Sequence, residues 1–209
     1  MIKTNHNRLY AWFFDRYIGY ILKKQFREIN ITGHVEHKER PILIIGNHFS
    51  WWDGFFILHL NRMVFKRKFY IMMLEEQLKH RLFLSRIGAY SIFPGTKSVI
   101  ESLNYTVDLL NDSSNMVAIF PQGEIESAYT STFRFEKGLQ FVLNRSTSQT
   151  PICLVFMVTL VDYYSHRKPS LTIAVEEYKD FGTADAASVE DAYNEFFQRT
   201  IQRQNALYK

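Results

Sequence analysis

His48 and Asp53 are the residues of this sequence best suited to chemistry, and they stand five positions apart, directly after the apolar run 41–46. An aspartate that accepts a hydrogen bond from one imidazole nitrogen fixes the tautomer of the ring and stabilises the imidazolium. The other nitrogen can then take a proton from an attacking hydroxyl, which typically accelerates a reaction about 10²- to 10⁴-fold. The pattern predicts a general base, but an N-cap aspartate beside a turn histidine would produce the same spacing.

The elements around this pair are predicted to place it at the edge of a sheet. The run 41–46 is short, β-branched and bounded by Pro and Gly, which is typical of a buried strand. Open α/β sheets carry their chemistry just past the carboxyl ends of the strands, where His48 would lie. Asp53 is expected at the start of the following helix, within reach of the imidazole.

A second loop is predicted at the same edge of the sheet. Residues 116–120 form another apolar run, which leads into Pro121-Gln122-Gly123-Glu124. Because glycine permits a close backbone approach, the Gly123 amide is a candidate donor to a developing oxyanion. An ordinary turn at the end of a strand is the alternative interpretation.

Strands and helices alternate along the whole chain, which predicts an α/β fold. Further strands are predicted at residues 29–33, 69–73, 88–95 with its terminal turn, 150–157 and 171–175. Helices are predicted at residues 8–27, 54–64, 75–84, 98–110, 133–144 and 188–208, the last capped by Asp185 or Ser188. Since repeats and low-complexity linkers are absent, the 209 residues predict one mixed, largely parallel sheet flanked by helices, in a domain of residues 29–209 preceded by a helical segment, 1–28.

The composition favours a protein that contacts lipid or a long apolar ligand. Aromatic residues make up 16% of the chain, a share that an aromatic-rich core would also explain. Residues 1–100 contain 16 Lys and Arg against 7 Asp and Glu, whereas residues 101–209 contain 9 against 14. An anionic membrane surface attracts a basic face by about 1 kcal/mol per nearby basic residue. Nucleic acid would attract it too, but no nucleic-acid-binding motif is present and no such partner is expected.

Residues 8–27 combine aromatic and basic side chains in a helical rhythm, which predicts an amphipathic helix. Such a helix can lie among lipid headgroups with Trp12 as an anchor, or pack on the protein's own core. No run approaches the roughly 18 apolar residues of a spanning helix, and the N-terminus lacks the features of a signal peptide. A peripheral protein on the cytoplasmic face of a membrane is expected. The single cysteine, Cys153, excludes a disulfide within a monomer and agrees with a reducing compartment.

Four blocks of the sequence, in this order, resemble those of the glycerolipid acyltransferase family, which includes lysophosphatidic acid acyltransferases. Asn47-His48 with Asp53 is similar to the first motif, residues 88–93 to the second, Phe120-Pro121-Gln122-Gly123 to the third, which is usually Phe-Pro-Glu-Gly, and Pro151-Ile152 to the fourth. Lys137-Gly138 also falls where the family has a Lys-Gly step. The combination covers roughly residues 29–160 and is far more specific than any one block.

The resemblance implies acyl transfer from acyl-CoA or acyl-carrier protein to a hydroxyl of a lysophospholipid or related lipid acceptor. It implies no acyl-enzyme, no metal and no cofactor, with His48 as the general base and Asp53 orienting it. The residues it implies for substrate binding are Ser50, Phe93, Gln122, Gly123, Glu124 and Lys137. Four aromatic residues are candidates for an acyl channel or a membrane-facing wall, and each fits the core equally well: Trp51, Trp52, Phe55 and Phe56.

Two departures from the family pattern concern the acceptor. Members that act on glycerol phosphates usually carry an arginine at the end of the second motif and another after the third-motif glycine, both suited to phosphate. Here Pro94 and Gly95 follow the second block, and Glu124, which would repel a phosphate, follows the third. Candidate substitutes are the basic residues Lys97, Arg134 and Lys137. The alternative acceptor is therefore not phosphorylated: a glycolipid, a sugar-bearing isoprenoid or an aminolipid.

Two other functions fit parts of the pattern. The first is a hydrolase or thioesterase that works through water. Ser50 is the only serine in the first block and would be its nucleophile, but the chain has no Gly-x-Ser-x-Gly elbow. The second is a non-catalytic lipid-binding protein that kept the fold.

Overall fold

A seven-stranded sheet organises the structure, a computed structural model that describes residues 1–147, 151–179 and 185–207. Its strands are β1 (Glu28–His34), β2 (Ile42–Gly46), β3 (Lys68–Leu74), β4 (Ala89–Ile92), β5 (Asn115–Ile119), β6 (Cys153–Asp162) and β7 (Ser170–Glu177). They are arranged in the order β1-β7-β6-β2-β5-β3-β4. Neighbouring strands are parallel except β6 and β7, which are antiparallel. The prediction of a mixed, largely parallel sheet is confirmed.

Helices cover both faces of the sheet. They are α1 (Arg8–Gln25), α2 (Asp53–Leu60), α3 (Glu75–Lys79), α4 (Ser98–Leu109), α5 (Gly138–Thr147) and α6 (Ala186–Ala206), with a π-helical turn at Asn61–Phe65 and a 3₁₀ helix at Leu82–Ile87. The buried strand β2 shows the two layers, because side chains alternate along a strand. Leu43 and Ile45 pack in the core beneath α4, α5 and α6, whereas Ile42 and Ile44 pack in the core beneath α1 and α2.

The N-terminal helix α1 has two different sides. Ile18 and Leu22 are buried against the core beneath α2, so this side packs on the protein itself. The other side exposes large apolar residues, each at least 48% accessible: Leu9, Trp12, Phe13, Tyr17 and Tyr20. The buried side agrees with the interpretation that residues 8–27 pack on the protein's own core, whereas contact of the exposed side with lipid stays a prediction. In the described part of the chain, no helix is both long and apolar enough to cross a membrane.

The prediction of one helix at residues 75–84 is wrong. Helix α3 ends at Lys79, and Arg81 leaves the helical conformation with φ −140° and ψ 48°. The 3₁₀ helix that follows ends at Gly88, whose φ of 114° suits glycine. Residues 75–87 therefore form two short helices.

Helix α5 begins at Gly138, five residues later than residue 133, the start that the sequence predicts. The preceding backbone N–H groups are held by partners from elsewhere in the chain: Phe133 donates to Asn194 Oδ1, Phe135 to Glu190 Oε2 and Glu136 to the Pro121 carbonyl oxygen. These bonds draw residues 133–136 towards α6 and the loop after β5, out of helical geometry.

The ends of the last elements also differ slightly from the sequence prediction. Strand β6 begins at Cys153 and extends to Asp162, beyond residue 157, because its residues 155–162 pair with β7. Asp185 rather than Ser188 caps α6, accepting from the Ser188 amide. Thr150 and Tyr208, the predicted ends of a strand and a helix, lie outside the described residues.

The topology brings two loops together. Strand β2 lies between β5 and β6, with Ile45 paired to Ile119 and Gly46 to Met157, and both pairings are parallel. The first loop (residues 47–53) and the second loop (residues 120–126) therefore leave the same edge of the sheet side by side.

Candidate active site

The first loop is closed by a buried carboxylate. Asp53, the first residue of α2, has no exposed surface, and its Oδ2 accepts from the backbone N–H groups of Phe49 at 2.7 Å and Ser50 at 2.8 Å. The same oxygen lies 2.9 Å from His48 Nδ1. The N-cap of α2 is Trp52, so the interpretation of Asp53 as a mere N-cap is wrong.

This hydrogen bond determines the tautomer of His48. Because Asp53 Oδ2 already accepts two N–H groups, Nδ1 of the imidazole acts as the donor, which leaves the lone pair on Nε2. The His48 side chain is 20% exposed, so the ring is reachable from outside. A histidine held in this way is equipped to accept a proton at Nε2.

Opposing effects act on the Asp53 carboxyl. Burial raises its pKa, and this effect outweighs the hydrogen bonds from His48, Ser50 and Phe49, which lower it. Its other oxygen, Oδ1, is buried without a hydrogen-bond partner among the described residues. All of the hydrogen bonding that the structure shows to this carboxylate is thus directed through Oδ2.

The second loop holds His48 from the opposite side. The His48 backbone N–H donates to Gln122 Oε1 at 2.7 Å, and its carbonyl oxygen accepts from the Glu126 amide at 2.9 Å. The imidazole stacks on Phe120, with ring centroids 4.1 Å apart and planes at 9°. The histidine is therefore fixed through its backbone, its ring face and Nδ1.

The Gln122 side-chain N–H group and the Gly123 backbone N–H group differ in whether they already donate a hydrogen bond. Gln122 is 7% exposed, and its Nε2 is buried without a partner among the described residues. The Gly123 amide instead donates to the Phe120 carbonyl oxygen at 3.2 Å, closing the turn in which Gly123 adopts a φ of 78°. The Gly123 amide is thus engaged in the turn, and the prediction that it donates to an oxyanion is not supported.

A large apolar cavity of about 790 Å³ opens beside His48. Its walls include Phe55, Leu58, Ile71, Met73 and Leu84, contributed by α2, β3 and the 3₁₀ helix. The Asp, Glu, Lys and Arg side chains among its lining residues are Glu124, Glu136 and Lys137. A mostly apolar cavity with a few polar groups is typical of a ligand-binding site.

A sequence profile of the Acyltransferase family matches residues 28–158, more than half of the chain. The chain belongs to the Acyltransferase family. The fold of this acyltransferase is similar to the crystal structure of the 1-acyl-sn-glycerophosphate (LPA) acyltransferase PlsC from Thermotoga maritima, with a TM-score of 0.62 and 12% sequence identity. The similarity covers 92% of this chain and 79% of that chain. No curated protein sequence matches the chain.

The four aromatic candidates of the acyltransferase separate into two groups. Trp51 and Phe55 line the cavity, and Arg81 lies 4.4 Å from the Trp51 ring. Phe56 is 3% exposed and packs in the core on Phe26, so the prediction of a channel-wall role for Phe56 is wrong. Trp52 packs partly buried against the same core, outside the cavity lining.

The remaining predicted substrate residues also separate. Gln122, Gly123, Glu124 and Lys137 line the cavity together with His48. Phe93 is 47% exposed and lies outside the lining, next to Ile92 and Pro94, which belong to it. Of the three candidate substitutes for the missing arginines, Lys137 lines the cavity, whereas Lys97 and Arg134 do not.

Ser50 is engaged in the structure of the first loop. Its hydroxyl oxygen accepts from the Trp52 amide at 3.2 Å, and its own amide donates to Asp53. His48 Nδ1 is hydrogen-bonded to Asp53 rather than to the Ser50 hydroxyl. The arrangement does not support Ser50 as a nucleophile activated by His48.

Two residues that position the site were not assigned a role from the sequence. Phe120 supplies the ring under His48, and the Asn47 side chain bonds both to the Thr159 carbonyl oxygen at 3.0 Å and to the Thr159 amide at 2.9 Å. Asn47 thereby continues the pairing of β2 and β6 by one step. Their sequence signals are the end of a predicted strand, where each lies, and the family-like blocks to which both belong, and neither signal indicates these contacts.

Proposed function

We propose that this acyltransferase transfers an acyl group from acyl-CoA or acyl-carrier protein to a hydroxyl of a lipid acceptor, with His48 as the general base and Asp53 as the residue that orients it. The observation that carries the proposal is the 2.9 Å contact between His48 Nδ1 and the buried Asp53 carboxylate, beside an apolar cavity of about 790 Å³. Family membership supports acyl transfer as the reaction.

In the proposed reaction the acceptor oxygen attacks the thioester carbon while His48 Nε2 takes the hydroxyl proton. The new C–O bond forms, the C–S bond breaks, and the departing thiolate takes the proton back from the imidazolium. Asp53 stabilises the imidazolium between these two transfers. The chain supplies no covalent intermediate, and the acyl chain occupies the apolar part of the cavity.

The acceptor of the proposed reaction is a lysophospholipid or a related lipid. PlsC, the protein of similar fold, is an LPA acyltransferase. The charges of the cavity favour a second candidate, an acceptor without phosphate. Two carboxylates, Glu124 and Glu136, line it against one lysine, Lys137, and a phosphate beside these carboxylates would be repelled.

The test combines the purified protein with an acyl-thioester and a panel of phosphorylated and unphosphorylated lipid acceptors, and identifies the products by mass spectrometry. We expect ester formation by the wild type and none above background by His48→Ala. Acylated lysophosphatidic acid would identify a phospholipid enzyme, whereas acylation of unphosphorylated acceptors alone would identify the second candidate. Unchanged activity in His48→Ala, or a trapped acyl-enzyme, would contradict the mechanism. A protein that binds these lipids without forming any ester would be the non-catalytic member of the fold.

We further propose that the exposed side of α1 rests on an anionic membrane surface, such as the cytoplasmic face of a membrane. Trp12 is 62% exposed and Phe13 is 55% exposed, and basic residues of the same helix, Lys23 and Lys24, lie in its last turn. Such a mixture of aromatic and basic side chains suits the headgroup region.

Sedimentation with anionic vesicles tests this surface. Trp12→Ala with Phe13→Ala should reduce salt-sensitive binding, whereas Tyr129→Ala with Tyr163→Ala, which also removes exposed aromatic rings, should not. Equal binding of both double variants would contradict the assignment.

A further inference from the structure

One of the two polar atoms of the Gln122 side-chain amide is hydrogen-bonded within the protein. Its Oε1 accepts from the His48 backbone N–H at 2.7 Å, and this bond fixes which end of the amide is oxygen. Its Nε2 is buried and has no hydrogen-bond partner among the described residues, although Gln122 is 7% exposed and lines the cavity beside His48. A buried donor without a partner is costly, and it is retained most readily where a ligand supplies the acceptor.

Several other donors around His48 are already engaged. Five backbone N–H groups of the two loops donate within the protein: His48 to Gln122 Oε1, Phe49 and Ser50 to Asp53 Oδ2, Gly123 to the Phe120 carbonyl oxygen and Glu126 to the His48 carbonyl oxygen. These groups hold the loops in shape. In contrast to these five groups, the side-chain amide of Gln122 keeps a donor for a bound molecule.

We infer that Gln122 Nε2 donates a hydrogen bond to the carbonyl oxygen of the acyl-thioester. The inference rests on the proposed function, because this oxygen becomes negative only when a hydroxyl attacks the thioester carbon. The charge forms as the C–O bond forms and disappears as the C–S bond breaks, so the donor stabilises the intermediate more than the substrate. The Oε1 bond to His48 holds this donor and the base in one fixed arrangement.

The inferred role depends on glutamine. A glutamate, which the resemblance places at this point of the third block, could still accept from the His48 N–H, but an ionised carboxylate has no proton to donate. Gln122→Glu therefore removes the donor and keeps the acceptor. Gln122→Met, of similar length, removes both.

The experiment measures kcat and KM for the acyl donor in the wild type, Gln122→Glu, Gln122→Met and His48→Ala, with thermal melting of each variant. Loss of one donor to an oxyanion typically lowers kcat by about 10²- to 10³-fold. We expect both Gln122 variants to show this loss with little change in KM. If Gln122 only holds the His48 backbone, Gln122→Glu will keep the wild-type kcat and Gln122→Met alone will lose it, which would overturn the inference.

The same set of variants separates this inference from the proposed function. Activity in the wild type, none in His48→Ala and full activity in Gln122→Glu would overturn the role of Gln122 alone. A wild-type protein that forms no ester from any acceptor would overturn both.

Discussion

The two loops that form the site are built in different ways, although they leave neighbouring parallel strands. The first loop is closed from within, by the contact between His48 and Asp53 across five positions of sequence. The second loop is tied to the first by the bond from the His48 amide to Gln122, across 74 positions, and to the start of α5 by the bond from Glu136 to Pro121.

The two loops therefore contribute to the site in different ways. The first loop directs its amides onto Asp53 and so holds His48, the proposed base, in place before any substrate arrives. Among the described residues, Gln122 Nε2 in the second loop has no hydrogen-bond partner, and Glu124 of this loop lines the cavity. In the proposed reaction, the groups of the second loop are therefore the ones that contact the substrate. Changes in the first loop should therefore affect the chemistry, and changes in the second should affect how substrates and charge are stabilised.

The largest effect is expected from Asp53→Asn. The asparagine oxygen can still accept from the Phe49 and Ser50 amides, so the loop should keep its shape, but a neutral amide does not stabilise the His48 imidazolium. We expect kcat to fall about 10²- to 10⁴-fold while the melting temperature changes little. Steady-state kinetics and thermal melting measure the two quantities. A rate close to that of the wild type would show that the first loop does not prepare the base.

A smaller effect is expected from Asn47→Ala, which removes the link between the first loop and β6. The amide and carbonyl groups of Thr159, a residue that is 1% exposed, would lose their partner, which should lower the free energy of unfolding by about 1–3 kcal/mol. We also expect a lower kcat. Urea unfolding and kinetics measure both.

Asn115→Ala is the matched control, because this asparagine is also buried and bonds a backbone carbonyl, but lies at the opposite end of β5. It should lose stability and keep kcat. If both asparagine variants lose kcat equally, the link to the first loop has no specific role.

Gly123→Ala tests the second loop with Gly95→Ala as its control. Both glycines have positive φ, 78° and 76°, and a non-glycine residue there costs about 1–3 kcal/mol. A Cβ at Gly123 would lie 3.1 Å from Glu136 Cγ, whereas a Cβ at Gly95 would meet nothing within 4 Å. We expect the Gly123 variant to lose more stability, and it alone to lose activity, because it displaces Gln122. Equal activity in both variants would show that the second loop has no role in catalysis.

The smallest effect is a pH dependence of stability. Since burial raises the pKa of the folded Asp53 carboxyl, the folded state binds the proton more tightly than the unfolded state, whose pKa is about 3.9. The contribution of this group to stability is present below that value and is lost as the pH rises through the raised pKa. We expect the stability of the wild type relative to Asp53→Asn to fall between about pH 4 and about pH 8. Urea unfolding at both pH values tests the sign of this change in stability. A rise in stability with pH would mean that the hydrogen bonds to Oδ2 affect the pKa of Asp53 more than burial does.

Much of the first loop was predictable because its partners are close in sequence. The apolar run 41–46 predicts β2, observed at Ile42–Gly46, and the spacing of His48 and Asp53 predicts their contact. Burial determines the strand β2, and the local hydrogen bond between His48 and Asp53 determines the first loop. The alternation of strands and helices likewise predicts the α/β class, because helices that follow the strands bury central strands such as β2 on both faces.

The second loop and its surroundings were less predictable. The glycine at position 123 indicates a turn but not that its amide closes that turn, and the aromatic run after the first block does not reveal that Phe55 lines the cavity while Phe56 lies in the core. Neighbouring helix positions point in directions 100° apart, and only packing decides which direction is the cavity.

The sequence by itself determined the central strand, the contact between His48 and Asp53 and the resemblance to an acyltransferase, because these depend on local patterns. The tertiary structure decided that Gln122 Nε2 has no hydrogen-bond partner among the described residues and that α5 starts at Gly138. Both follow from bonds between residues far apart in the chain, and such bonds form only when the sheet has brought its strands side by side.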